Sequence, residues 1–461
     1  MMTDVLLTHS NHLFYDRKQV EKMQPYPPLQ TLIAAAVLRE SGLGVAVCDV
    51  AFQAPEEALP KALEAHSPGL LAVCEDDFNF LSKMCLSRNR SVAFEMARMA
   101  KQRGIPAVAH GSDASDHAAA YLEAGFDYVL IGEVESTLLE LAKGNDPEHI
   151  AGLACRDRSG VVRYTSPRAL RRDLDELPMP ARELIEMDQY RDAWRAAHGY
   201  FSLNMVSSRG CPYRCNWCSK PIWGNSYQVR SARLLAEEML ALKRQYAPDH
   251  IWFADDIFAL SGNWTMEFAA AVDSLGAHIP FKMQSRCDLM TRDTVSALKQ
   301  AGCAEVWMGA ESGSQRILSA MEKGLCVEDT YRARENLARY GIRACLFLQF
   351  GYPGEGLTEI EETIRMVRNL QPDDIGVSVS YPLPGTRFHQ MVSAELGAKA
   401  NWTDSADLAM MFRGAYSSEF YRALADALHL EVRQPNATEA IRSAWDQVCA
   451  LECSIDRQRV A

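Results

Sequence analysis

Three cysteines stand close together in one short stretch of the sequence. Residues 207–218 read SSRGCPYRCNWC, so Cys211, Cys215 and Cys218 follow a Cys-x3-Cys-x2-Cys spacing. Three thiolates from one loop can hold three corners of a cubane iron–sulfur cluster, which leaves one iron with an open coordination position. Such an iron can bind a substrate or cofactor directly, whereas an electron-transfer ferredoxin normally fills all four positions. A zinc site explains the motif less well, because no second Cys or His pair follows at a suitable distance.

The composition narrows the class of protein. An odd number of cysteines, 13 in 461 residues, together with an amino terminus that lacks a basic and apolar leader, disfavours a disulfide framework. Acidic residues outnumber basic ones by 60 to 48, and the resulting net charge of −12 disfavours nucleic-acid and membrane-surface partners. No apolar run approaches the ~18 residues that cross a bilayer. We therefore expect a cytoplasmic protein with a small-molecule substrate, no nucleic-acid partner and no membrane partner.

Two runs of alternating strands and helices must position the cysteine loop. In residues 1–140, short apolar segments alternate with helical patterns, which predicts an α/β fold with a doubly wound, Rossmann-like parallel sheet. The predicted strands are Asp4–His9, Val45–Val50, Leu70–Cys74, Ala107–His110 and Tyr128–Ile131. Ligands of such sheets bind beyond the carboxyl ends of the strands. No Gly-x-Gly-x-x-Gly follows the first strand, so a dinucleotide is not indicated.

The second run follows a connector. Residues 141–200 contain a small hairpin and the proline-bearing stretch LDELPMP, which predict an interdomain segment. Residues 201–390 alternate again, and six βα units fall short of the eight of a closed barrel, so we predict a partial (β/α)6 barrel. Its predicted strands are Leu203–Ser207, His250–Ala254, Phe281–Ser285, Glu305–Ala310, Ala344–Phe350 and Ile375–Ser380. Residues 391–461 are predicted to form a helical C-terminal region.

The cysteine loop, placed at the end of the first barrel strand, resembles that of the radical S-adenosylmethionine (SAM) enzymes. An aromatic residue, Trp217, precedes the last cysteine, as it does in that family. The resemblance implies that the open iron of a [4Fe-4S] cluster chelates the amino and carboxylate groups of SAM. It implies that reductive cleavage of SAM then gives methionine and a 5′-deoxyadenosyl radical. It also implies an external electron donor such as flavodoxin or ferredoxin.

Segments that follow the later barrel strands are also similar to that family. Asp-Asp at 255–256 follows the second strand, QSRCD at 284–288 ends the third, and GAESGS at 309–314 ends the fourth, close to the family's Gly-x-Glu-Ser-Gly. All lie where barrel active sites form, at the carboxyl ends of strands. The resemblance implies carboxylates near the SAM amino group and polar side chains near its ribose and carboxylate. The SAM-binding residues implied in this way are Asp255, Asp256, Ser285, Arg286 and Glu311.

The N-terminal region resembles that of the cobalamin-binding members of the family. The likeness rests on PYPPL at 25–29 and IGEVE at 131–135. The cobalamin-binding residues that it implies are Tyr26, Pro27, Asp76, Asn79, His110, Gly132 and Glu133. The family's Gly-Gly-x-His appears here as AHGSD at 109–113, and no Asp-x-His-x-x-Gly occurs, so a histidine ligand to cobalt of the mutase type is not supported. His110 has a second interpretation, as a histidine that is merely hydrogen-bonded at the end of its strand.

The resemblance implies a cobalamin-dependent radical SAM methyltransferase that acts on an unactivated carbon of a small metabolite. An alternative enzyme would keep the same cofactors but form a ring, contract a ring or oxidise its substrate without methyl transfer. A methylthiotransferase is disfavoured, because Cys48, Cys74 and Cys85 are too scattered to hold a second cluster. A structural metal protein is the non-enzymatic alternative. The sequence identifies neither the substrate nor a catalytic side chain.

Overall fold

The first sheet of the computed structural model, which describes residues 3–460 with side chains placed as far as Glu452, has seven strands. They are β1 (Val5–Thr8), β2 (Val45–Cys48), β3 (Leu70–Cys74), β4 (Ala107–His110), β5 (Tyr128–Leu130), β6 (Leu153–Arg156) and β7 (Val162–Tyr164). The first five run parallel in the order β2-β1-β3-β4-β5, and β6 and β7 continue the sheet antiparallel. The predicted hairpin thus extends this sheet. Near-continuous Val, Leu and Ala in β1, β3 and β4 suit strands covered on both faces.

Helices cover both faces of this sheet. They are α1 (Arg17–Lys22), α2 (Leu29–Glu40), α3 (Pro55–His66), α4 (Phe80–Lys83), α5 (Ser87–Lys101), α6 (Ser112–Asp116), α7 (Ala118–Ala124) and α8 (Val134–Ala142). Residues of α3, α5 and α7 share one buried apolar cluster with the strands, and residues of α2 and α8 share another. The sheet is therefore doubly wound. Its strand order reverses between β1 and β3, which makes their carboxyl ends the expected ligand edge.

The second sheet is an open half-barrel of six parallel strands in the order β15-β14-β13-β12-β11-β8. The strands of this region are β8 (Ser202–Met205), β9 (Ser208–Arg209), β10 (Gln228–Val229), β11 (His250–Phe253), β12 (Phe281–Ser285), β13 (Cys303–Glu311), β14 (Arg343–Phe350) and β15 (Asp374–Val379). The two-residue strands β9 and β10 pair antiparallel beside the half-barrel. All eleven strands predicted for the two sheets are confirmed.

The remaining helices pack around the half-barrel or follow it. They are α9 (Met187–His198), α10 (Ala232–Gln245), α11 (Gly262–Leu275), α12 (Arg292–Ala301), α13 (Gln315–Ala320), α14 (Val327–Arg339), α15 (Leu357–Leu370), α16 (Arg387–Val392), α17 (Ser418–Arg433) and α18 (Thr438–Val460). Short 3-10 turns lie at Leu13–Tyr15, Pro147–His149, Arg182–Leu184, Cys287–Leu289 and Ser393–Glu395. Across residues 3–460, none of the helices has the length and apolar character needed to cross a membrane. The predicted fold class is confirmed.

An irregular segment, residues 396–417, precedes the two C-terminal helices and ties them to the first sheet. Asn401 donates from Nδ2 to the Cys85 carbonyl at 3.0 Å, and the backbone N–H of Ser405 donates to Asp16 Oδ2 at 2.9 Å. Trp402 is 2% exposed, and its ring stacks on that of Tyr381 at 4.4 Å. The C-terminal region therefore bridges the half-barrel and the helices of the first sheet.

Candidate active site at the junction of the two sheets

The three cysteines lie in the loop between β9 and β10. Gly210, which precedes the first of them, has φ of +78°, and a Cβ there would lie 2.5 Å from the Ser226 carbonyl oxygen, so only glycine fits. Asn216 anchors the middle of the loop, because its Nδ2 donates to the Ala320 carbonyl at 2.8 Å and its backbone N–H donates to the Met321 carbonyl at 3.0 Å. The loop is thus fixed against the C-terminal end of α13.

The cysteine thiols fit an iron–sulfur cluster by their chemistry. Cys211, Cys215 and Cys218 are free and partly exposed. Burial raises the pKa of the Cys218 thiol to about 12 and also raises that of Cys211, so iron binding must displace protons. Among the described residues, no three His, Cys, Asp or Glu side chains are close enough to hold a single metal ion. A cubane is larger than one ion, and the ligand thiolates around it stand farther apart.

Four cationic side chains surround this loop. Lys220 Nζ donates to the Cys211 carbonyl at 3.1 Å, and the Arg286 guanidinium lies 3.8 Å from the centre of the Tyr213 ring. Lys323 Nζ lies 5.9 Å from the ring of Trp217. The fourth cation, Lys83, comes from α4 of the first sheet. A cluster bound by three thiolates carries negative charge, so these cations favour its binding.

The two neighbouring aspartates that follow β11 have different roles. Asp255 is fully buried and accepts hydrogen bonds at Oδ1 from the hydroxyls of Ser207 and Ser208, at 2.6 and 2.5 Å. Burial raises its pKa to about 6 despite these bonds. Asp256 is partly exposed and forms an ion pair with Lys83 Nζ at 2.5 Å. Asp255 therefore anchors the strand that leads into the cysteine loop, and Asp256 is the member of the pair that faces open space.

The other predicted SAM residues gather on the same side of the loop. Arg286 donates from Nη1 to the Lys323 carbonyl at 2.9 Å, and the hydroxyl of Ser285 donates to the Phe258 carbonyl at 2.8 Å. Glu311 Oε1 lies 2.8 Å from Lys323 Nζ. Burial would lower the pKa of Lys323, and the Glu311 carboxylate outweighs that and raises it. The structure thus brings Arg286 and Glu311 together around Lys323, whereas the side chain of Ser285 is bonded to the Phe258 carbonyl.

The backbone at the end of β13 is strained. Glu311 has φ of +60°, a conformation that costs a non-glycine residue about 1–3 kcal/mol, and the strand register shifts between Gly309 and Glu311. A Cβ at Gly309 would lie 2.5 Å from Glu311 Oε1 and 2.7 Å from Lys323 Nζ. Strain of this kind persists where the surrounding structure enforces it, which is common at functional sites.

Two of the predicted cobalamin residues lie against the first barrel strand. The Tyr26 hydroxyl is 3.1 Å from the Ser202 hydroxyl, and the Pro27 carbonyl accepts a hydrogen bond from Asn204 Nδ2 at 2.9 Å. The ring of Tyr26 also packs on Trp252, with centroids 4.7 Å apart. This segment therefore joins the two sheets.

Asp76 and Asn79 organise the loop after β3. Asp76 is buried, and its two carboxylate oxygens accept hydrogen bonds from the backbone N–H groups of Leu29 and Gln30, at 3.1 and 3.2 Å, which caps α2. Asn79 Oδ1 accepts from the Leu81 N–H at 3.0 Å, which caps α4. Asp76 is thus fully engaged in holding the loop, whereas Asn79 is partly exposed.

His110, Gly132 and Glu133 meet at the ends of β4 and β5. His110 is buried, and its Nε2 lies 2.9 Å from the Gly132 carbonyl and 3.4 Å from Asp77 Oδ2. Glu133 Oε2 accepts from the Arg171 N–H at 2.5 Å. The contact with the Gly132 carbonyl satisfies one nitrogen of the His110 ring, as the end-of-strand interpretation requires, but Nδ1 has no hydrogen-bond partner among the described residues.

The buried state of His110 predicts a pH effect on stability. Burial lowers its pKa from 6.5 to about 4, so the unfolded chain binds a proton between these values that the folded chain does not. Stability from this group is therefore full above pH 6.5 and is lost as the pH falls towards 4. His110→Gln keeps a donor for Gly132 and does not titrate. We expect the free energy of unfolding, measured with urea, to fall between pH 7 and pH 5 by about 2 kcal/mol less in this variant; an equal fall would contradict the assignment.

Unpaired polar atoms gather at the ligand edge of the first sheet. The carboxyl ends of β1, β3 and β4 hold buried side-chain atoms without a hydrogen-bond partner: His9 Nδ1, Ser10 Oγ, Glu75 Oε2, Asp77 Oδ2 and His110 Nδ1. Buried polar groups are normally satisfied, so such a group of atoms indicates a missing polar ligand. A corrin ring with amide side chains offers both donors and acceptors, and the donor set at this edge fits it.

A buried ion triad joins this edge to the cysteine loop. Arg209, two residues before Cys211, donates from Nη1 to Glu133 Oε1 at 2.8 Å and from Nη2 to Glu135 Oε1. All three side chains are at most 7% exposed. Burial would raise the pKa of Glu135, but Arg209 outweighs it and holds the pKa at about 2. Sequence reasoning gave no role to Arg209, Lys83 or Lys323, since nothing in their local spacing marks them.

The half-barrel matches a known protein family. The model of the radical SAM superfamily matches residues 205–367, from the last residue of β8 into α15, and includes the three cysteines. Residues 205–367 are a radical SAM domain. The predicted family of the cysteine loop is confirmed, and with it the prediction of an enzyme that carries a [4Fe-4S] cluster.

Two relatives extend the likeness beyond the radical SAM domain. An uncharacterized methyltransferase of Pyrococcus horikoshii is 31% identical over 282 residues, which are 60% of this chain and 60% of that protein. The hopanoid C-3 methylase of Methylococcus capsulatus is 25% identical over 385 residues, which are 80% of this chain and 69% of that protein. The chain thus spans 60% and 69% of the lengths of these two relatives.

Two solved structures share the fold of the radical SAM domain together with the first sheet. TsrM from Kitasatospora setae, with cobalamin and a [4Fe-4S] cluster bound, matches with a TM-score of 0.70 at 21% identity and covers 86% of this chain and 75% of its own. OxsB, with aqua-cobalamin and SAM bound, matches with a TM-score of 0.73 at 17% identity and covers 92% of this chain and 66% of its own. These likenesses establish the fold.

Proposed function

We propose that the protein is a cobalamin-dependent radical SAM methyltransferase that acts on an unactivated carbon of a small metabolite. The observation that carries the proposal is the direct junction between the ligand edge of the first sheet and the cysteine loop. Arg209 beside Cys211 pairs with Glu133 and Glu135, and Lys83 of the first sheet pairs with Asp256. A cofactor at each edge would therefore face a shared space. The methyltransferase and methylase names of the two relatives support the same reaction.

Different residues of this chain would bind the cofactors at the two edges. Cys211, Cys215 and Cys218 would hold the cluster, and Asp256 and Glu311 would orient SAM. When bound, the cluster would supply the electron that cleaves SAM, and cobalamin would carry the transferred methyl group. The chain itself would fix the distance between the two groups, and the buried Arg209 triad would contribute by linking Glu133 and Glu135 of the first sheet to the cysteine loop.

The decisive experiment follows the methyl group of SAM. The full chain is reconstituted without oxygen with iron, sulfide and hydroxocobalamin, and is then given SAM labelled on its methyl group, a strong reductant and candidate substrates. We expect a corrin absorption spectrum after removal of free cobalamin, production of 5′-deoxyadenosine, and label in the product. Production of 5′-deoxyadenosine with an unlabelled, rearranged product would show that the reaction is ring formation, ring contraction or oxidation and not methyl transfer.

The partners and location of the protein are part of the same proposal. The cluster requires one electron for each cleavage, so we propose an external donor such as flavodoxin or ferredoxin. The twelve cysteines whose side chains are described are all free, which suits the reducing cytoplasm that a thiolate-bound cluster needs. We propose that the substrate is a small molecule rather than nucleic acid.

Glu311 provides a test of the SAM assignment. Glu311→Gln removes the carboxylate charge but leaves an amide oxygen for Lys323, so we expect the cluster to load normally. Loss of a charged hydrogen bond should weaken SAM binding by roughly 10- to 100-fold, measured by equilibrium dialysis with the cluster-loaded protein. Glu328→Gln, on the exposed face of α14, is the matched control and should leave binding unchanged. Unaltered SAM affinity in Glu311→Gln, with full iron content, would remove Glu311 from the site.

A further inference from the structure

One row of polar and charged side chains crosses the inner face of the half-barrel. The strand register sets Trp252 beside Lys282, Lys282 beside Glu305, and Glu305 beside Arg343. The residues that alternate with them along each strand are buried against the outer helices. Because side chains of a strand point alternately to its two faces, this row faces the interior of the half-barrel.

Lys282 is the one member of this charged row whose side chain lacks a counter-ion. Glu305 is already engaged, because its Oε2 lies 2.7 Å from Arg343 Nη1 and its Oε1 accepts a hydrogen bond from Trp307 Nε1 at 2.7 Å. Within residues 3–452, Lys282 Nζ makes neither an ion pair nor a hydrogen bond, and its ammonium lies 5.8 Å from the ring of Tyr26. Burial lowers the pKa of Lys282 although Glu305 lies beside it, so its ammonium form is disfavoured in the free protein and a bound anion would stabilise it.

A cavity of about 120 Å³ opens onto this ammonium. Its walls are Trp252 and Lys282 from the half-barrel, residues between 11 and 26 from the N-terminal segment, and residues 79–81 from the loop after β3. An apolar cavity of roughly 150 Å³ admits a benzene molecule, so this smaller space takes at most one aromatic ring. The cavity is thus built from both sheets and adjoins Asn79, one of the predicted cobalamin residues.

The charge on the cavity wall is positive. Lys22 also lines the cavity, and burial together with the charges of Lys18 and Arg433 lowers its pKa to about 8. Asp16 is the acidic residue on the wall, and both of its oxygens are engaged by the backbone N–H and hydroxyl of Ser405, each at 2.9 Å. Two lysines and one carboxylate therefore line the cavity, and its wall carries one net positive charge when both lysines are protonated.

We propose that this cavity binds the substrate and that the substrate is an aromatic or planar apolar molecule with a carboxylate. The carboxylate would bind Lys282, and the ring would lie against Trp252 and Tyr26. Naming this ligand the substrate rests on the function proposed above. An anion could come from a second source, the phosphodiester of cobalamin, and the experiment separates the two.

The test measures binding to the cluster- and cobalamin-loaded full chain by isothermal titration calorimetry, without turnover. The probes are benzoate and 3-phenylpropanoate, each compared with its neutral amide. We expect at least one acid to bind about ten-fold or more tightly than its amide, as a charge-assisted hydrogen bond requires. Lys282→Met should abolish that preference, Lys282→Arg should retain it, and Lys299→Met, on the exposed face of α12, should leave it unchanged.

Three outcomes would overturn the proposal. The first is equal binding of every acid and its amide by the native protein. The second is a lowered affinity for cobalamin in Lys282→Met with no change for the acids, which would assign the cation to the phosphodiester. The third is a thermal midpoint of Lys282→Met several degrees below that of the native protein, since removal of an unpaired, partly buried charge should leave stability unchanged or higher. Failure of these binding tests would leave methyl transfer standing, because the labelled-SAM experiment does not depend on them.

Discussion

Cys215→Ala is expected to abolish both the iron–sulfur cluster and the cleavage of SAM. The loop supplies three thiols, and a cubane that already has one open iron cannot be held by two of them. After anaerobic reconstitution, the variant should lack the visible absorbance of the cluster. Its yield of 5′-deoxyadenosine should fall to that of a protein-free mixture. Cys211→Ala and Cys218→Ala should behave in the same way.

The matched control is Cys155→Ala. Cys155 is also free and partly exposed, but it lies in β6 of the first sheet, away from the loop. This variant should load iron and cleave SAM as the native protein does. A full cluster signal in any of the three loop variants would refute the assignment, and loss of the cluster in the control would show that the effect is one of folding.

Arg209→Ala is expected to lower the free energy of unfolding by about 3–5 kcal/mol, because it leaves two buried carboxylates without a counter-ion. Glu133 and Glu135 are 7% and 2% exposed, so water cannot replace the guanidinium. Urea denaturation at neutral pH measures the loss. If the protein still folds, labelled SAM should show more 5′-deoxyadenosine per methylated product, because the two edges are no longer held together.

Two further variants separate charge from packing in this triad. Arg233→Ala removes a surface ion pair with Glu237 on α10 and should change stability by no more than about 1 kcal/mol. Arg209→Met combined with Glu133→Gln and Glu135→Gln removes all three charges and should recover most of the lost stability, as replacement of buried ion triads often does. If Arg209→Ala alone were as stable as the native protein, the triad would not hold the junction.

Strands β1, β3 and β4 could be predicted from the sequence because each is a short, nearly continuous apolar run that is buried on both faces. The half-barrel strands could be predicted because alternate residues are apolar and buried. The docking of the hairpin β6–β7 could not, since a short hairpin carries no signal for the edge with which it pairs. Here that edge is β5, through Tyr128 opposite Cys155. The irregular segment 396–417 was likewise predicted only as part of a helical region.

The site was predictable where its residues are adjacent in sequence and unpredictable where they are not. The spacing of Cys211, Cys215 and Cys218 indicates a cluster by itself. Lys83 pairs with Asp256, which lies 173 residues later in the sequence, and no local sequence pattern predicts such a contact. The different roles of Asp255 and Asp256 could not be predicted either, because the direction of a side chain at the end of a strand depends on the loop packed above it.

The contacts of residues 401–405 with the first sheet's helices limit the exchange of the N-terminal region between related enzymes. Asn401 and Ser405 hold the helices of the first sheet although they lie after the last barrel strand. If a gene fusion exchanged only the N-terminal region between two such enzymes, residues 401–405 would stay with the original barrel and would meet a foreign N-terminal region. The N-terminal region and residues 401–405 would therefore have to be exchanged together. A substitution in one of them is expected to require a compensating substitution in the other.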